Sequence, residues 1–210
     1  PAEARSQIWI EIGMVRIAHL AYSYGFNGFA VPSDAPWLAN ILDESTVLAD
    51  AAEARADGAD FVVLSLHWGE QYANQTNWQQ RELGPRLLAS QDIDLIVGHH
   101  AHVVQPIEHI DGEWIVHGLG NLLANATRPL QRDELLVQVT ITEQPDGTFA
   151  SSVLAIPLFV DQRTLTVHPS NPSARSQALD LSLASELDES WTRVRSVLET
   201  GSGWDDIELG

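Results

Sequence analysis

The chain predicts an α/β fold with a parallel core, on three observations. Between residues 14 and 97, apolar strand-like runs alternate with helical stretches, the order that builds a parallel sheet with right-handed crossovers. Beyond residue 102 the pattern changes to paired strand-like runs joined by Asp-Gly turns, a hairpin signature. Hydrophobic residues make up 44% of the 210, enough for the core that one domain of this length buries.

Each element has its own warrant. Residues 14–21 form an apolar run read as the first strand, followed by a loop in which Gly25, Asn27 and Gly28 are turn formers. Asp43-Glu44 opens a helix that runs to about Asp57 and stops at Gly58. Residues 61–66 read as the second strand. A second helix spans 76–90, capped by Thr76 or Asn77, with Leu83, Leu87 and Leu88 as its apolar stripe. Residues 95–97 read as the third strand. Hairpins are expected over 103–117, turning at Asp111-Gly112, and over 135–158, turning at Asp146-Gly147. One more strand is expected at 163–167. Apolar residues at 179, 183, 187, 191 and 194 give helical spacing to a helix over 176–198, and 201–210 reads as a frayed acidic tail. The expected division is a main unit over 1–168 and a helix with its tail over 169–210.

Composition narrows the function. With 29 acidic residues against 11 basic ones, all arginine, the formal charge is −18, which repels phosphate backbones and argues against a nucleic-acid partner. An anionic polymer would also be disfavoured unless bound metal ions or an arginine patch changed the local field. The chain has no cysteine, so neither a disulfide framework nor a thiolate ligand is available. No segment approaches the roughly 18–20 apolar residues of a membrane span.

The chemistry concentrates at strand ends. Asp94-Leu-Ile-Val-Gly98-His99-His100-Ala101-His102 is an apolar run that stops at a glycine and three histidines, and residues 60–66 stop at His67-Trp68-Gly69. Open α/β sheets build their sites at the carboxyl ends of strands, and imidazole is the commonest side-chain ligand for transition metals. Period-2 geometry sends His100 and His102 to one side and His99 to the other, into packing or onto a neighbouring group. His67 on the adjacent run completes a cluster of three, and three neutral histidines can hold one zinc-like ion. Glu70 is a candidate carboxylate or proton acceptor, although an acidic chain makes a solvated surface residue the blander reading. Asn27 and Asn121, each beside glycine, are candidate substrate contacts. Arg81 and Arg128 read as surface residues. No nucleophile elbow and no glycine-rich phosphate loop is present.

Val63-Leu-Ser-Leu-His67-Trp-Gly69, Gln80-Arg-Glu-Leu83 and the Gly98 to Pro106 run, with Tyr24-Gly-Phe-Asn-Gly28 and His117-Gly-Leu-Gly-Asn121, together resemble the poly-γ-glutamate capsule-synthesis (CapA-type) family over about residues 12–125. The resemblance implies the calcineurin-like metallophosphoesterase architecture, a β-sandwich flanked by helices with a centre of two divalent metal ions. It implies that His67 binds one metal and that His100 and His102 serve the pair; His99 and Glu70 are then the catalytic candidates. Two departures stand out: Ala101 replaces a common proline, and Gln71 replaces a glutamate, which weakens a catalytic carboxylate there.

The family's first-half aspartates and Asn-His motif have no counterpart before Met14, so the chain resembles the carboxyl-terminal half of such a domain. A missing amino-terminal segment or a companion chain is then expected to supply the Asp, Asn and His ligands. The implied activity is metal-dependent hydrolysis on an anionic envelope polymer such as poly-γ-glutamate, at the cell envelope or extracellular face, with membrane association through a segment outside this chain. The alternative is a non-catalytic polymer-binding or scaffold component with a degenerate metal site.

Overall fold

A computed structural model describes residues 7–175 and 180–210. Two β-sheets pack face to face, with helices on the outer side of the larger one. That sheet has the order β1-β2-β3-β4-β6-β5, from β1 (Ile8–Ile12), β2 (Val15–Ser23), β3 (Phe61–His67), β4 (Leu95–His99), β5 (Ile107–Ile110) and β6 (Glu113–Val116). Strands β2, β3, β4 and β6 are mutually parallel, and β1 and β5 close the edges antiparallel. The expected α/β core with hairpins after it is therefore present.

The helices form where local chemistry starts and stops them. Helix α1 (Glu44–Ala56) begins at Asp43, whose carboxylate accepts from the Thr46 amide, and α2 (Trp78–Leu88) begins at Asn77 with a reciprocal capping box to Gln80. Asn77 rather than Thr76 is thus the cap. Val47, Ala51 and Ala54 of α1 and Leu83, Leu87 and Leu88 of α2 cluster with Leu20, Leu64, Leu66 and Ile96 of the sheet, burial that drives the two layers together. The opposite sheet face carries Ile17, Phe61, Leu95, Trp114 and Val116, which meet Leu135, Val153 and Ala155 of the second sheet.

The second sheet pairs β7 (Asp133–Glu143) with β8 (Phe149–Asp161); β9 (Thr166–Pro169) and β10 (Glu208–Leu209) both add to β8. Helix α3 (Leu181–Leu198) is capped by Asp180, so residues 176–179 of the expected helix lie outside the described residues. Arg193 docks α3 by a two-pronged ion pair to buried Asp133 of β7, at 2.6 and 2.8 Å.

One expectation is corrected, and one strand is added to those expected. Residues 201–210 are not frayed: Trp204, Ile207 and Leu209 pack on the core, and β10 runs parallel to Leu154 and Ala155. Apolar residues interleaved among the acids anchor the segment, and Gly201 lets it pass so close to the Ile107 carbonyl that a Cβ would overlap it. Strand β1 was not expected from the sequence. It pairs with β2 and turns Trp9 toward the helices, while Ile8 and Ile12 are more than half exposed on the other face.

Candidate metal centre

The sheet order places β3 beside β4 in parallel with His67 opposite His99, so the loops after both strands share one end of the sheet. There the His67 and His100 ring centroids lie 4.6 Å apart, and those of His100 and His102 lie 6.3 Å apart. The three histidines singled out as metal ligands are brought together. Their backbone is unusual: His100 and His102 have φ of +95° and +57°, and Tyr72 has +66°. Left-handed conformations at bulky residues cost energy and persist where the surroundings impose them.

His102 is held on several sides. Its ring Nδ1 lies 2.6 Å from Asn121 Oδ1, while Asn121 Nδ2 donates to the His102 main-chain carbonyl at 3.1 Å. A carbonyl only accepts, so the second bond fixes the amide with its oxygen toward the ring. The ring must then donate from Nδ1, which in the neutral imidazole puts the lone pair on Nε2, as a metal ligand requires. Tyr72 stacks on the ring at 5.8 Å, and its amide donates to the Ala101 carbonyl at 2.7 Å. Buried Gln80 and Gln105 brace the Tyr72 loop from below: Gln80 Nε2 donates to Gln105 Oε1 at 2.8 Å, and Gln105 Nε2 donates to the Ala73 carbonyl at 2.9 Å.

His67 is held more loosely. It is exposed, with Tyr24 stacked 6.1 Å away; Tyr24 also lies 4.8 Å from His100. Beside it is an open hollow of about 420 Å³ lined by Ser23, Gly25, Phe26, Asn27, Phe29 and His67. Desolvation, then the His102 imidazole, lowers the pKa of His67; desolvation, then His67 and His102, lowers that of His100. Both effects favour the neutral rings that bind metals.

The remaining candidates fall as follows. Asn121 is in the cluster as His102's partner, and exposed Asn27 lines the hollow by His67 with φ of +50°. His99, expected to turn into packing or onto a neighbouring group, is exposed on the sheet face that also bears His67, because residues paired in register point to the same side. Desolvation, then His67 and His19, lowers its pKa. Glu70 is exposed, and its backbone carbonyl accepts from the Ala73 amide at 3.4 Å.

Sequence reasoning missed Glu134. This fully buried residue of β7 accepts the amides of both Asn121 and Leu122, the latter at 2.9 Å. Burial pushes its carboxyl up to about 7 against the opposing pull of those two bonds. Nothing in Arg132-Asp133-Glu134 distinguishes it from a solvated surface acid.

The donor chemistry fits a divalent transition metal, since the ligand candidates are imidazoles and Asn121 sets the tautomer of His102. The set is incomplete: among the described residues no group of three or more His, Cys, Asp or Glu side chains converges to hold an ion. His67, His100 and His102 adjoin one another at this end of the sheet, with 6.3 Å between the His100 and His102 ring centroids.

Residues 1–126 match the model of the bacterial capsule synthesis protein PGA_cap family. The chain belongs to this family. It is 33% identical over 150 residues to the PGA biosynthesis protein CapA of Bacillus subtilis, covering 70% of this chain and 39% of that protein. It is 25% identical over 181 residues to the capsule biosynthesis protein CapA of Bacillus anthracis, covering 85% and 41%. The chain thus spans about two fifths of the length of these curated relatives. Among solved structures it superposes on the sulfate thiohydrolase SoxB of Thermus thermophilus with a TM-score of 0.47 and 21% identity, covering 90% of this chain and 29% of that one. The calcineurin-like phosphoesterase YfkN of Bacillus subtilis gives a TM-score of 0.41 and 13% identity, covering 86% and 52%.

Proposed function

We propose that this PGA_cap chain supplies imidazole ligands to a divalent-metal centre that hydrolyses an amide- or ester-bearing envelope polymer such as poly-γ-glutamate. The observation that carries the reading is the His67-His100-His102 cluster at the carboxyl end of the parallel strands, with the Nε2 lone pair of His102 left free by Asn121. His67, His100 and His102 would hold the metal, which when bound supplies Lewis acidity. The carboxylate and Asn-His ligands would come from a preceding segment of a longer protein or from a companion chain, consistent with curated relatives of which this chain covers only 39% and 41%. The hollow beside His67 would seat the polymer, with Asn27 at its wall. His99, exposed and in register with His67, would pass a proton to a leaving group; exposed Glu70 would be the weaker candidate. The work would take place at the cell envelope. Among the described residues no helix is long and apolar enough to cross a membrane, so membrane association would rest on another segment.

The test is metal content and polymer turnover of the longer protein, with and without His100→Ala. Loss of both metal and turnover is expected; turnover at the wild-type rate would overturn the reading. A scaffold that binds polymer without cutting it is the second reading, favoured by the absence of a convergent ligand set among the described residues and by Gln71. Polymer retention with no turnover at any divalent metal would select it.

A further inference from the structure

We propose that Glu134 is a positioning residue for His102, acting through Asn121 from the second sheet. Three observations lead to it. Glu134 lies on β7, outside every loop that carries a site histidine, yet its Oε2 takes two consecutive main-chain N–H groups of the Asn121 turn. The turn is shaped to receive that oxygen: Leu122 has φ of +62° and Gly120 of +85°, and a Cβ on Gly120 would overlap Glu134 Oε2. Only glycine tolerates both the conformation and the close approach. The other carboxyl oxygen, Oε1, is buried without a hydrogen-bond partner among the described residues, so both hydrogen bonds seen at this carboxyl go to the backbone that aims Asn121.

The consequence follows link by link. Glu134 fixes the main chain of Asn121 and Leu122. Asn121 grips His102 at the ring Nδ1 and at the carbonyl, and that double grip sets the tautomer. The neighbouring Leu135 amide donates to the Leu119 carbonyl at 2.9 Å, so β7 holds the Gly-Leu-Gly-Asn turn at two points. In this way the second sheet, which contributes no histidine to the cluster, governs which nitrogen of His102 is free. The meaning of that control for metal binding rests on the ligand reading above; the tautomer itself does not.

The experiment is long-range ¹H–¹⁵N NMR of the histidine rings in the metal-free longer protein that carries this chain, followed by Zn²⁺ titration. Wild type should show His102 as a single Nδ1–H tautomer. Asn121→Ala and Glu134→Ala should both give mixed tautomers at His102 and leave His67 and His100 unchanged. Glu134→Gln, whose amide oxygen can accept the same two N–H groups, should restore the wild-type signal. Zn²⁺ affinity should fall roughly tenfold in Glu134→Ala and return in Glu134→Gln. A wild-type His102 signal in folded Glu134→Ala overturns the proposal, as does one in Asn121→Ala. If the alanine variant does not fold, Glu134→Asp, one methylene too short, carries the same expectation. Tautomer changes with no Zn²⁺ binding even in wild type would uphold the positioning role and remove the metal reading instead.

Discussion

His102 and His67 stand at opposite ends of one cluster, and the chain treats them differently. His102 is gripped at its ring and its carbonyl by Asn121, covered by Tyr72, and backed through Asn121 by a carboxyl from the other sheet. His67 ends its strand exposed, with Tyr24 over one side and an open hollow beside it. Preorganised ligands keep their geometry before the ligand arrives, whereas a loosely held one must be ordered by what binds. The difference teaches that the cluster is finished at the His102 end and open at the His67 end, where the proposed additional ligands and the proposed polymer would enter.

The comparison can be broken hardest at Gly120. Gly120→Ala places a Cβ into Glu134 Oε2 at φ +85°, and a loss of more than about 3 kcal/mol is expected. Chemical denaturation would measure it; a loss under 1 kcal/mol would mean that the His102 end is not tightly built.

The pH dependence of Glu134 comes next. Its folded pKa of about 7 lies above the ordinary carboxyl value of 4.5, so the native state holds the proton longer than the unfolded chain. Stability tied to this group is therefore full below pH 4.5 and is lost as the pH rises through 7. The loss amounts to at most about 3 kcal/mol. Asp133, the adjacent carboxylate that raises it further, is itself paired with Arg193. Glu134→Gln removes the titration, so its stability relative to wild type should climb across that window; a flat difference would show that Glu134 ionises as freely as a surface acid.

Asn121→Ala should cost about 1–2 kcal/mol in thermal unfolding, since it leaves partners of two bonds unpaired. At the other end Tyr24→Ala should cost only about 1 kcal/mol, the scale of a partly exposed ring contact. An equal or larger loss at Tyr24 would erase the contrast between the two ends. Glu70→Gln should change stability by less than about 0.5 kcal/mol, as expected for an exposed side chain.

Much of this was readable in one dimension. The turn at Gly98-His99-His100-Ala101-His102, the cap at Asn77 and the hairpin at Gly147 are local events governed by neighbouring residues, so periodicity and turn chemistry reveal them. The exposure of His99 was not legible because alternation along one strand predicts sides relative to its own neighbours, while exposure depends on what covers that side. The tail was misread because its acids outnumber Trp204, Ile207 and Leu209, which nonetheless find the core.

The sequence by itself determined the family, the order of strands and helices, and the histidines that meet at one sheet end. Apolar runs and strand-end motifs encode these directly. The tertiary structure alone decided that Asn121 sets the tautomer of His102 and that Glu134, thirteen residues further on and in the other sheet, supports it. The physical reason is that a buried carboxyl is identified by its surroundings: the same Asp-Glu pair on a solvated strand would bind nothing but water.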